Sequence, residues 1–377
     1  MMNNKSKSKS RIAILDGFRA LAIIAVLLFH FFSRYTTNHY KTNLYPYADK
    51  YDYFGYGYLG VEFFFIISGF VIFFTLEQTN NFIVFWKKRL SRLWPSMFIA
   101  SIIIFIFFRI FDDKSQGAQL LNFLPSLSFI KPNLINNTMS FFGTETKIGY
   151  LNGSFWSLWL EIQFYVFSSF LYFMNKKNFV RNFLVLSSFL CLINVVIHTM
   201  HGENRLGLPF AYEISIFYDK WFDNGFNLIG FLPFFSIGVI FYLFFKNKNS
   251  KIVTSTYVKG FLLFFVVFEM IFAKDWGERI AFLLMYLLFF VFIYFPDKLS
   301  FLEKPFLSKT GESSYFLYLI HENIGVYIIV ALGSYFLPLG FVLPLLIMIA
   351  FTVLSILYTY TIDKKINKWL KGILLKK

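Results

Sequence analysis

Arg19 and His30 stand eleven residues apart in "LDGFRALAIIAVLLFHFF", residues 15–32, with no other ionisable side chain between them. Eleven residues are close to three helical turns, so the two share one helix face about 16 Å apart along the axis. A guanidinium grips phosphate or carboxylate bidentately, and an imidazole can accept and return a proton near neutral pH. Ionisable groups are costly inside a membrane and mark functional positions there. The others within apolar runs are Glu62, Glu161, Glu269, His321 and Glu322, with Asp16 near an edge. Taken singly, Arg19 could snorkel to headgroups and His30 could rest at an interface; their alignment favours a shared interior path.

Four further stretches carry candidate chemistry. In "YLGVEFFFIISGF", Glu62 sits about one turn into its span, at the depth expected for His30. A carboxylate there would orient the imidazole and raise its basicity, as a general base requires. In "KKRLSRLWP", Arg89 and Arg92 are an i,i+3 pair able to clamp phosphates; by charge count alone they read as an ordinary basic flank. In "NGSFWSLWLEIQFY", Glu161 and Tyr165 form an i,i+4 pair beside Gln163, suited to orienting a sugar hydroxyl or moving a proton. A structural bond between helices explains that pair equally well. In "GESSYFLYLIHENIG", His321 begins an apparent HExxH, but Gly325 replaces the second histidine, so no zinc or other metal is expected. His321 either bonds between helices or lines the cavity. Glu269 lies in no motif, and His39, His198 and His201 fall in or near outer loops. Cys191 is the only cysteine, which excludes an intrachain disulfide and a cysteine metal cluster. No P-loop, G-x-G-x-x-G or G-x-S-x-G occurs.

The elements that must hold these residues are membrane helices. The chain is 57% hydrophobic and 15% charged, with mean hydropathy +0.58, and its apolar runs match spans of about 20 residues. Long unbroken runs exclude a β-barrel, whose strands alternate. The expected fold is an all-α polytopic bundle of about ten spans: 12–33, 58–76, 93–111, 154–174, 182–200, 227–245, 257–273, 279–295, 313–332 and 339–360. The first run is too long for a signal-peptide core and carries Arg19, so it reads as a retained span. An N-in, C-in arrangement puts 24 of the 36 Lys and Arg in the cytoplasmic loops and 11 in the outer ones, leaving Arg19 in the membrane. That asymmetry follows the positive-inside rule and makes the net charge of +15 an orientation signal, not a nucleic-acid footprint. A single membrane domain is expected over 1–377, with a basic N-terminus at 1–11, a basic tail at 361–377, and longer outer loops at 34–57, 112–153 and 201–226.

Together these blocks resemble the acyltransferase 3 family of integral membrane acyltransferases, which includes bacterial polysaccharide O-acetyltransferases. The matching elements are "LDGFRALAIIAVLLFH", "GVEFFFIISGF", "KKRLSRLWP", "WSLWLEIQFY" and "SSYFLYLIH", in family order from residue 15 to 321. Two positions depart: Glu62 stands where Asp is usual, and Ile162 follows Glu161 where many members carry a second carboxylate. The chain ends in a basic tail, so no C-terminal SGNH esterase-like domain is expected. The resemblance implies cytoplasmic acyl-CoA, typically acetyl-CoA, with its phosphates on Arg89 and Arg92 and its arm passing Arg19. His30, oriented by Glu62, would serve as base on an acceptor hydroxyl or carry the acyl group; Glu161, Tyr165 and His321 are the candidate substrate-binding residues. The implied partners are the lipid bilayer, a surface glycan or lipid-linked saccharide, and glycan-assembly proteins. Two other classes compete: a transporter or flippase, disfavoured by the lack of visible inverted repeats, and a non-catalytic partner in glycan assembly.

Overall fold

The computed structural model describes residues 2–34, 52–200, 210–250 and 252–375; His39, His201, most of the outer loop 34–57 and the first part of the outer loop 201–226 lie outside them. Among the described residues there are fourteen α-helices and no strand. They are α1 (Met2–Leu28), α2 (Gly60–Glu77), α3 (Phe82–Phe111), α4 (Phe123–Ser128), α5 (Pro132–Phe141), α6 (Trp156–Met174), α7 (Phe179–Met200), α8 (Ala211–Tyr218), α9 (Leu232–Asn249), α10 (Thr256–Phe272), α11 (Trp276–Tyr294), α12 (Pro305–Phe336), α13 (Val342–Tyr358) and α14 (Lys364–Leu374).

Every expected span falls on a helix. Eight helical segments are long and apolar enough to cross a membrane. The two outside that set are α10, only 17 residues long, and α6, whose run carries Glu161 and Gln163. Helix α3 begins at Phe82, not 93, because Asn81 caps it by accepting the Val84 N–H at 2.9 Å. The "KKRLSRLWP" stretch is therefore helical, and its Pro95 is accommodated inside α3. At the far end of α1 the helix widens to a π turn over Phe29–Ser33. Such one-turn widenings recur at functional sites, and this one contains His30.

Lipid supplies no hydrophobic drive between helices, so close approach and shape must hold the bundle. Helix α2 crosses α9 where Gly69 faces Gly238: a Cβ on either would strike a backbone carbonyl oxygen of the other helix, Phe235 or Ile66. Helix α12 crosses α1 where Gly311 lies against the Asp16 carbonyl. Phenylalanine, 56 of 377 residues, fills what the glycines leave. Phe164 stacks on Phe235 at 4.1 Å and Phe241 on Phe289 at 5.0 Å, contacts in which aromatic quadrupoles and dispersion replace exclusion of water. Helices α1, α2, α3, α6 and α12 meet around the candidate site.

The segment 112–153 is built rather than slack. Asn122 donates to the Gln116 carbonyl at 2.8 Å and accepts the Gly149 N–H at 2.8 Å. Its end is bolted to α12: Asn152 Nδ2 donates to the Leu319 carbonyl at 2.6 Å and Ser154 Oγ to the Tyr318 carbonyl at 3.0 Å. This places a fixed loop beside His321 and Glu322.

Candidate active site

Five of the sequence-selected residues converge on one cavity of about 100 Å³. Arg19 enters from α1, Arg89 and Arg92 from α3, Glu161 and Tyr165 from α6. Arg19 pairs with Asp16 at 2.5 Å, one turn back on its own helix. Arg89 is buried: it donates to Thr75 Oγ1, lies 5.5 Å from the Tyr165 ring centroid, and keeps an Nε–H with no hydrogen-bond partner among the described residues. Arg92, three residues on, is exposed at the mouth. Glu161 accepts from Ser68 Oγ at 2.8 Å and from Tyr165 OH at 2.5 Å. Three guanidiniums thus face a single hydrogen-bonded carboxylate, Asp16 answering only the first. A buried donor without a partner is costly, and an anionic group entering the cavity satisfies it.

The other end of α1 holds a second polar centre. His30 and His321 pack edge to face with ring centroids 4.9 Å apart. Glu322 Oε1 lies 2.7 Å from Arg34 Nη1 and 3.5 Å from His30 Nδ1, while Arg34 Nη1 is 3.3 Å from the same Nδ1. His30 Nδ1 therefore sits between a donor and an acceptor, and the ring can keep its proton on either nitrogen. His321 Nδ1 lies 2.9 Å from the Tyr318 carbonyl, to which it donates; its Nε2, left as a lone pair, has no partner among the described residues. A Cβ on Gly153 would meet the Glu322 carboxylate, so the loop backbone at Gly153 roofs this centre closely.

Tyr318 joins the two. It lines the arginine cavity, its ring tilts against His321 at 5.5 Å, and its hydroxyl lies 2.8 Å from Ser157 Oγ. Tyr318 and Ser157 form the wall between the cavity and the histidines.

The structure corrects one expectation. Glu62 makes no ion pair with His30 among the described residues. Equal depth is not equal direction. Gly57 and Gly60 are the residues pressed against the α1 carbonyls of Ala25 and Ala22. Glu62, two residues past Gly60, is about 200° further round the helix. It belongs instead to a separate group with Tyr58, Glu278 and Lys274. There Tyr58 OH donates to Glu278, whose carboxylate also accepts the Lys274 N–H at 2.7 Å. Asp275 caps α11 at the edge of this group; the Glu278 N–H it accepts at 2.9 Å holds its carboxyl below the usual carboxylate range. The Glu62 Oε2 is buried without a hydrogen-bond partner.

The carboxylate that does face His30 is Glu322, which sequence reasoning noted without assigning a role. Its partner Arg34 falls by position at the start of the expected outer loop 34–57. The available signals were the His30–Arg34 i,i+4 spacing and a Glu322 inside an apolar helix with no countercharge nearby in sequence.

A family model described as an acyltransferase domain matches residues 12–363, nearly the whole chain. The chain belongs to the acyltransferase 3 family. It is 25% identical over 340 residues to the O-acetyltransferase OatA of Staphylococcus aureus, covering 83% of this chain and 50% of that protein. It is 26% identical over 171 residues to the peptidoglycan O-acetyltransferase OatA of Listeria monocytogenes, covering 42% of this chain and 24% of that protein. Against the putative peptidoglycan O-acetyltransferase YrhL of Bacillus subtilis it is 24% identical over 172 residues, 44% of this chain and 24% of that protein. The chain spans about half the length of the Staphylococcus aureus relative. No solved structure matches significantly. The acyltransferase 3 match encloses both polar centres and the Tyr318 wall between them.

Proposed function

We propose that this acyltransferase 3 protein is a membrane O-acetyltransferase that moves an acetyl group from acetyl-CoA in the cytoplasm to a hydroxyl of an extracytoplasmic glycan. The observation that carries the reading is the pairing of a cationic cavity at one end of α1 with an imidazole centre at the other, separated by one tyrosine. The charge asymmetry of the loops orients the chain N-in and C-in, with ten helices crossing. The cavity then opens toward the cytoplasm and His30 lies near the outer face. Relatives named for peptidoglycan make a cell-wall glycan the favoured acceptor class.

In this reading Arg89 and Arg92 hold donor phosphates, and Arg19 lines the arm carrying the thioester. Glu161 and Tyr165 set the cavity's polarity from the opposite wall. At the outer centre His30 takes the proton of the acceptor hydroxyl as its oxygen attacks the thioester carbonyl. The new C–O bond forms, the C–S bond breaks, and the departing thiolate receives the proton from the imidazolium. Glu322, held by Arg34, stabilises that imidazolium while it exists. A transporter reading gains no support, since no pair of broken helices stands among the described residues.

Purified protein given labelled acetyl-CoA and glycan acceptor tests the reading. Wild type is expected to release CoA and label the glycan, and His30→Ala to lose transfer by about 10²–10⁴-fold while inserting normally. Full activity in His30→Ala refutes the assignment of the base.

A further inference from the structure

The arginine cavity is too small for a nucleotide. At about 100 Å³ it falls below the roughly 300–1,000 Å³ of small-molecule sites and suits only a slender chain. Arg92 has a second outlook. It lines a groove of about 450 Å³ whose other walls are Lys364, Asn367, Lys368 and Lys371 of α14. No carboxylate lines this groove. Lys364 is tied to Glu312 at 2.5 Å, but Arg92, Lys368 and Lys371 have no ion-pair partner among the described residues. Asn367 spends its Nδ2 on the Asp363 carbonyl at 3.1 Å, and its Oδ1 is buried without a donor.

Helix α14 is fixed in place. Ser96 Oγ donates to Asp363 at 2.7 Å, binding the start of α14 to α3, and Tyr360 OH donates to Glu312 of α12 at 2.9 Å. Its residues divide cleanly: Lys364, Lys368 and Lys371 recur at i, i+4 and i+7 on the groove side. Ile366, Trp369 and Ile373 occupy the opposite side, where Trp369 and Ile373 are exposed. This is the pattern of a helix lying in a membrane interface, with its charged face turned to the cavity mouth.

We infer that the groove between α3 and α14 binds the phosphorylated nucleotide end of the acyl-CoA donor, with Lys368 and Lys371 taking the 3′-phosphate of its ribose and Arg92 at the junction with the cavity, where the arginine pair takes the pyrophosphate. The inference rests on the donor named above and extends it to a helix outside the arginine pair. Phosphate is also the chemistry of anionic lipid headgroups. Arg92, which lines both the groove and the arginine cavity, favours the nucleotide, because it makes the groove a continuation of the path of the donor's arm.

The test measures binding of CoA and of 3′-dephospho-CoA to the full chain in phosphatidylcholine nanodiscs and in discs containing phosphatidylglycerol. Lys368→Glu with Lys371→Glu is expected to weaken CoA binding about tenfold in both discs and to raise the KM for acetyl-CoA, with kcat within about twofold of wild type. Loss of the 3′-phosphate is expected to weaken binding to wild type and to matter little to the variant. The Lys→Arg pair should keep wild-type affinity. Equal CoA affinity in wild type and the Glu variant overturns the groove while leaving the donor assignment standing. A defect confined to the anionic discs assigns the groove to lipid and overturns it likewise. Failure of wild type to bind CoA at all refutes the donor and the groove together.

Discussion

At the scale of single residues, the centre around His30 is held by a partner that linear position hides. Depth in the membrane can be counted along a helix, and by that count Glu62 and His30 are level. Direction around the helix is set by what packs, and Gly60 at the start of α2, with Gly57 in the 3₁₀ turn before it, takes the side that faces α1. Glu322 on α12 fills the place beside His30 instead, 3.5 Å from Nδ1, with Arg34 at 2.7 Å steadying it. Glu322→Gln is therefore expected to lower kcat by about tenfold or more and leave the KM for acetyl-CoA unchanged. Glu62→Gln should keep kcat within about twofold. Steady-state kinetics on the two variants checks this, and the reverse ranking would restore Glu62 as the orienting group.

Among elements, what could be read in advance was mostly one-dimensional. Apolar run length puts each expected span on a helix, eight of them in segments long and apolar enough to cross, and spacings of three, four and eleven put Arg89 with Arg92, Glu161 with Tyr165, and Arg19 with His30 on common faces. Arrangement between helices was harder to read, because it turns on small residues whose meaning appears only once a neighbour is known. Gly69 and Gly238 look like any membrane glycines until α2 and α9 are seen to touch through them. The π turn at Phe29–Ser33 carries the helix as far as Ser33 and keeps Arg34 within reach of Glu322, where sequence alone placed Arg34 in a loop. Gly238→Val should force the α2–α9 crossing apart and destabilise the protein by about 1–3 kcal/mol, seen as a lowered melting temperature in detergent. Gly260→Ala, where a Cβ meets nothing within 4 Å, should melt at or above the wild-type temperature. Equal melting in the two variants would show that the crossing does not depend on close approach.

For the whole molecule, the basic excess has two destinations. Much of it follows the loops, as orientation requires. The tail at 361–377, expected only to mark the cytoplasmic side, forms in α14 a wall beside Arg92. Orientation itself is open to direct measurement, since the one native cysteine, Cys191, is buried and gives a quiet background. Thr144→Cys should react with an impermeant maleimide on intact cells, and Ser250→Cys only after permeabilisation. Labelling in the opposite order would invert the topology and with it the direction of transfer.

Arg19 and His30 ride on one continuous helix, and that fact has a metrological side. The axial interval of about 16 Å between the two residues is set by the rise of α1 and the π turn that continues it, whatever the neighbouring helices contribute. The rod acts as a gauge. A thioester whose arm is too short would be gripped at one end without presenting its carbonyl at the other. One with the right arm and a simplified headgroup would bind loosely yet still reach. Discrimination among donors then arises from length, with no side chain needing to recognise the acyl group itself.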